Sequence, residues 1–151
     1  MRIHHVTVPA HDPVKVATVL AEVLGARVVS LPHPEGTLLV YAGDGDGTAI
    51  EVWPAKLRID PKRGDLALRE LPLPEAWPHH AFVTSDACTT ETILAIFARA
   101  GWRAEHVRNG PPGGGFSLVR GFIENHTGIE LGGSEMRAEY ERFFQTLRGA
   151  A

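Results

Sequence analysis

Two short stretches of this chain are near copies of each other. Gly47-Thr48-Ala49-Ile50-Glu51-Val52-Trp53 is echoed seventy-nine residues later by Thr127-Gly128-Ile129-Glu130-Leu131. Each copy runs Thr, small residue, Ile, Glu, branched aliphatic, which predicts a strand entered from a polar turn. A second echo has a similar offset, with His4-His5-Val6-Thr7-Val8 matched by His79-His80-Ala81-Phe82-Val83. A duplication of this kind restricts the architecture, because whatever surrounds one copy must also surround the other. It also restricts the chemistry. A carboxylate inside an apolar strand is costly to bury unless a positive charge meets it. Two at equivalent positions point to one cation serving both.

The pattern between the echoes agrees in both halves. Asp12-Pro13 reads as an N-cap followed by proline at the first helical position. Val16, Leu20, Val23 and Leu24 then recur at helical spacing until Gly25 ends the helix. In the second half Asp86 or Thr90 is expected to cap, with Ile93, Ile96, Phe97 and Ala100 as the buried stripe and Gly101 as the stop. Three strands follow each helix, at 26–31, 37–42 and 48–53, and at 103–108, 116–123 and 128–132, separated by Gly-, Pro- and Asp-rich turns. Residues 54–78 hold five prolines and read as a connector with little regular structure apart from a short turn near 65–69. The last stretch is amphipathic, with Met136, Tyr140, Phe143, Phe144 and Leu147 on one stripe. The reading is α+β: a single domain over 1–151 with two βαβββ modules (1–53 and 79–132), a connector (54–78) and a C-terminal helix (134–148).

Strand parity sorts the polar residues. Val6 and Val8 belong to the helix-side core, which places His5 and Thr7 on the opposite face, since neighbouring strand residues alternate. The same parity puts His80 with Phe82, and sets Glu51 and Glu130 away from the core. Two imidazoles and two carboxylates are a first shell suited to a divalent metal such as zinc, nickel, cobalt, manganese or iron. Four protein ligands leave room for water and substrate on a six-coordinate ion. Tyr41 and Arg120, also seventy-nine residues apart, are candidates to orient a substrate. Cys88 is single, makes no internal disulfide, and reads as a small, partly buried residue.

A formal charge of −3 over 151 residues argues against nucleic acid or an acidic membrane as the main partner. No apolar run reaches the ~18 residues of a membrane span, and the N-terminus has no signal-peptide pattern. A cytoplasmic protein with a small-molecule substrate is the expectation.

These residues carry a resemblance. His5-Val6-Thr7-Val8 with Asp12, Leu24-Gly25, His80-Ala81-Phe82-Val83 with Asp86, and Asn125-His126-Thr127-Gly128-Ile129-Glu130-Leu131 resemble, in order and spacing, the vicinal oxygen chelate superfamily. That group includes glyoxalase I, methylmalonyl-CoA epimerase, fosfomycin-resistance proteins and extradiol dioxygenases. The resemblance implies paired βαβββ half-barrels, often in a homodimer, with His5, Glu51, His80 and Glu130 as metal ligands in an order similar to glyoxalase I. It also implies a metal-dependent lyase or isomerase acting on a small oxygenated metabolite, with Glu130 or Glu51 moving the proton. Two alternatives from the same superfamily are an iron(II) dioxygenase using His5, His80 and Glu130, and a non-catalytic binder of a drug or metabolite.

Overall fold

Asp12 and Pro13 start the first helix where the sequence places it. The Asp12 side chain accepts a hydrogen bond from the Lys15 backbone N–H at 3.0 Å, and the helix ends on Gly25 in the left-handed region at φ 62°. The structure, a computed structural model, describes residues 5–31, 35–43, 48–59, 66–68, 81–109 and 115–148. Its elements are β1 (His5–Ala10), α1 (Pro13–Leu24), β2 (Arg27–Ser30), β3 (Leu38–Tyr41), β4 (Ala49–Pro54), β5 (Leu57–Ile59), β6 (Leu66–Leu68), β7 (Phe82–Thr84), α2 (Thr90–Ala100), β8 (Ala104–Asn109), β9 (Phe116–Ile123), β10 (Thr127–Gly132) and α3 (Ser134–Arg148). No helix among the described residues is long and apolar enough to cross a membrane.

The duplication is realised as two four-stranded sheets of the same topology, ordered β1-β4-β3-β2 and β7-β10-β9-β8. In each sheet the opening strand lies parallel to the closing one, and the other pairings are antiparallel. The α+β reading with two βαβββ modules and a C-terminal helix is the observed architecture. Two local expectations are corrected. Thr89, rather than Asp86 or Thr90, caps α2, with its side chain accepting from the Thr92 N–H; Asp86 instead pairs with Arg137 of α3 at 2.9 Å. The connector also holds an antiparallel hairpin, β5 against β6, with Leu57 opposite Leu68 and Ile59 opposite Leu66. Alternation of Leu57, Arg58 and Ile59 has strand period, and the surrounding prolines masked it.

One apolar core serves both modules. Val16, Leu20 and Val23 of α1, Ile93, Ile96 and Phe97 of α2, and Val52, Val119, Ile129 and Leu131 of the sheets belong to one cluster. The helices meet along their flanks, where Ser85 Oγ donates to the Leu24 carbonyl at 2.7 Å and Arg99 pairs with Glu22. At the other end, the Glu124 carboxylate accepts from the backbone N–H groups of His11 and Asp12, each at 2.8 Å. A carboxylate at a helix N-terminus both caps and complements its dipole. Cys88 is buried and its thiol donates to the Glu22 carbonyl. Burial, helped by nearby Glu22, pushes this thiol up, as expected of a packing residue.

The C-terminal helix packs on the second sheet. Tyr140 rests on Phe82 and Phe116 at ring separations of 5.1 and 4.8 Å, and Phe143 meets Phe116 at 5.5 Å. The side chains of Phe144 and Leu147 lie outside the described residues. Glu139 ties α3 to β9, accepting from the Ser117 N–H at 2.8 Å and from Arg108 at 3.2 Å. The Ser117 hydrogen bond, with Arg108 assisting, holds its carboxyl below the ordinary carboxylate range. A depressed folded-state pKa contributes stability above the unfolded value, and that contribution is lost as pH falls through the folded one. The attachment of α3 is therefore expected to be constant from neutrality to about pH 5 and to weaken below about pH 4, by less than about 1 kcal/mol because the pair is partly solvated. Near-ultraviolet circular dichroism of the aromatic cluster tests this: Glu139→Gln should remove the acid-dependent step, and an unchanged step would assign it elsewhere.

Candidate metal centre

Register decides which side chains share a face. On the first sheet Glu51 lies between Thr7 of β1 and Leu39 of β3, and His5 lies opposite Ala49. Residues paired across strands point the same way, so His5, Thr7, Leu39 and Glu51 occupy one face. Val8, Val40, Ile50 and Val52 are buried on the other, beneath α1. The predicted parity is observed here. On the second sheet Glu130 lies between Phe82 of β7 and Arg120 of β9, with Leu131 and Val119 buried on the reverse face.

The structure brings His5 and Glu51 together. His5 Nε2 stands 3.9 Å from Glu51 Oε1, too far for a hydrogen bond. Two metal bonds of about 2.1 Å each can span up to about 4.2 Å, so one ion can reach both atoms. The other oxygen, Glu51 Oε2, accepts from Trp53 Nε1 at 2.9 Å. An orienting donor of this kind fixes a ligating carboxylate and sets its free oxygen. Sequence reasoning passed over Trp53, although it lies two residues from Glu51 and therefore on the same face. Glu51 is partly open to solvent and His5 largely so.

Glu130 is placed differently. It is 7% exposed, and Arg120 donates to its Oε1 at 3.3 Å while also donating to Asn109 Oδ1 at 3.3 Å. The expected equivalence of Tyr41 and Arg120 does not hold in the sheets. Leu39 is the residue opposite Glu51, and Tyr41 lies opposite Ala49, because twelve residues separate Leu39 from Glu51 but only ten separate Arg120 from Glu130. Tyr41 still lies on the face that carries Glu51. His80, like His4 and His79, lies outside the described residues. Among the described residues no group of three His, Cys, Asp or Glu side chains is close enough to hold a metal ion.

A cleft of about 590 Å³ adjoins the site, and its walls include His5 and Ala49 from the first module and Phe82, Ser85 and Tyr140 from the second and α3. Phe82 is the cross-strand partner of Glu130, and the same cleft also reaches Val6, Val40 and Ile50 at the edge of the core. Neither Phe82 nor Tyr140 was singled out from the sequence as a site residue.

The fold is that of the vicinal oxygen chelate superfamily. Solved structures of that fold align over nearly the whole chain. The fosfomycin resistance protein FosX from Listeria monocytogenes gives a TM-score of 0.61 at 12% identity over 94% of this chain and 98% of its own. The trypanothione-dependent glyoxalase I of Leishmania major gives 0.55 at 15% identity, over 100% and 99%. Lactoylglutathione lyase from Agrobacterium tumefaciens gives 0.54 at 14%, over 89% and 94%. The sequence matches no family model and no curated protein.

Proposed function

We propose that this protein is a divalent-metal-dependent lyase or isomerase of the glyoxalase type, acting on a small oxygenated molecule. The observation that carries the reading is the His5–Glu51 pair on an open sheet face, with His5 also on the wall of a cleft and Glu130 at the matching place in the second module's closing strand. His5, Glu51, His80 and Glu130 would hold the ion. One similar structure supports a metal-bound reading: a point mutant of FosX from Listeria monocytogenes was solved with Mn(II) and 1S,2S-dihydroxypropylphosphonic acid.

The bound cation supplies Lewis-acid polarisation of a substrate oxygen. The remaining work falls to this chain. One of the two glutamates, Glu51 or Glu130, takes a proton from the carbon next to that oxygen and returns it, as a general base and then acid. Trp53 holds Glu51 in place through Oε2 and leaves Oε1 turned toward His5. Phe82 and Tyr140 form an apolar wall that limits water in the cleft and favours a compact substrate. Tyr41, on the face that carries Glu51, would orient the substrate's far end. Tyr140 and Phe143 of α3 pack within their own chain on Phe82 and Phe116; we also propose a homodimer.

Elemental analysis of the purified protein, paired with Glu130→Gln, tests the reading. Metal content and isomerase activity should fall together in the variant; an active, metal-free variant overturns it. Oxygen uptake with ferrous iron and a catechol would instead favour a dioxygenase.

A further inference from the structure

His5 belongs to two features at once. It faces Glu51 across 3.9 Å, and it also stands on the wall of the cleft of about 590 Å³. That cleft turns around the end of the first sheet. His5 and Ala49 reach it from the face that carries Glu51, and Val40 and Ile50 from the face beneath α1. Val40 and Ile50 are buried, so core side chains form part of the wall. Phe82 and Tyr140, with ring centres 5.1 Å apart, continue it from the second module and α3. Charged residues make up 22% of the chain, yet among the described residues no Asp, Glu, Lys or Arg lines this cleft. Ser85 is on the same wall, and its hydroxyl is already committed. It donates to the Leu24 carbonyl at 2.7 Å and accepts from the Ala87 N–H at 3.2 Å.

We propose that the substrate is an uncharged molecule whose oxygenated end meets the ion beside His5 and whose apolar body fills this cleft. This rests on the function proposed above and deepens it by naming the substrate class. A charged tail moved from water against such a wall loses hydration and gains no counter-charge. An apolar tail gains in proportion to the surface it covers. The cleft volume is that of an ordinary small-molecule site, about 300–1,000 Å³, so the body is compact. A phosphate, phosphonate or peptide carboxylate on the tail would call for an arginine or lysine to receive it. A hydroxyketone or dicarbonyl compound with an aliphatic or aromatic substituent needs none. Selection then has two parts: the ion fixes the oxygens, and the cleft wall rejects charge.

Two probes with one head and different tails test this: phenacyl alcohol, an uncharged hydroxyketone, and its para-sulfonate, a weakly coordinating anion. Calorimetry of the full chain with Mn(II), and then of the loaded protein with each probe, reads the metal centre and the cleft separately. The uncharged probe is expected to bind at least about tenfold more tightly than the sulfonate. Ala42 lines the cleft and is exposed, so a charge can be introduced there at little cost to the fold. Ala42→Lys should narrow the difference to about threefold or less, and Ala42→Glu should widen it, with Mn(II) affinity in both within about threefold of wild type. Equal or tighter binding of the sulfonate by wild type, or binding of neither probe by the loaded protein, overturns this inference and leaves the metal centre standing. So does an unchanged difference in both Ala42 variants, which would place the selection outside the cleft. No uptake of Mn(II) by wild type overturns the metal centre itself.

Discussion

Glu51→Gln should weaken divalent-metal binding by at least about 100-fold, more than losing a group that only orients a ligand normally costs, while leaving the fold intact. Glutamine has nearly the same shape as glutamate, and its carbonyl oxygen can still accept the Trp53 N–H now bound by Oε2 at 2.9 Å. What is lost is the negative charge facing His5. His5→Ala removes the other half of the pair and should have a similar effect, with little cost in stability because His5 is well exposed. Trp53→Phe separates ligation from orientation. It keeps an aromatic ring beside the site but removes the donor that fixes Glu51, and roughly a tenfold loss of affinity is expected. Calorimetric titration with Mn(II) or Zn(II) gives all three constants. Wild-type affinity in Glu51→Gln would remove Glu51 from the ligand set and return the dioxygenase arrangement, in which His5, His80 and Glu130 suffice.

The second large effect concerns the core. Phe97→Ala should cost about 3–5 kcal/mol, which in a chain of this size lowers the melting temperature by roughly 6–20 °C. Phe97 is fully buried and meets Trp102 edge-on, with ring centres 5.7 Å apart at 74°. Its other side lies over Gly121 of β9, where an added Cβ would come within 2.4 Å of the ring. The glycine is therefore required by close approach, and not by backbone conformation. Gly121→Ala overpacks the same space and should cost about 1–3 kcal/mol. Phe97→Leu makes room, so Gly121→Ala should be cheaper in that background than in the native one. Urea unfolding of the four proteins measures the coupling; strictly additive losses would mean the two residues do not meet.

The parts of this molecule that were legible in its sequence are those stated twice. Glu51 and Glu130 announced two closing strands, His5 and His80 two opening ones, and Gly25 and Gly101 two helix ends. Each copy checked the other. Alternation then placed His5 and Glu51 on one face, since a strand with Val6 and Val8 inside leaves no choice about its neighbours. Features that depend on register were hidden. Spacing made Tyr41 the twin of Arg120, but two residues fewer between β9 and β10 partners put Leu39 in that place. The β5–β6 hairpin was obscured by its prolines. The contact of Tyr140 with Phe82 joins residues far apart in sequence, and the amphipathic pattern of α3 records that it is covered without naming the surface that covers it.

Glu124 has a consequence for how this duplicated chain comes apart. Its carboxylate, carried on the turn between β9 and β10, completes the start of α1 in the other module, while α1 and α2 bury a single cluster between them. Each module thus holds part of the other's boundary. The halves are repeats by descent of pattern but not by independence: neither closes its own interior, and a cut between them leaves two incomplete surfaces in place of two smaller proteins. A chain built this way is expected to unfold in one cooperative step. A weakness introduced at one module's edge is then felt at the opposite glutamate as readily as at the near one.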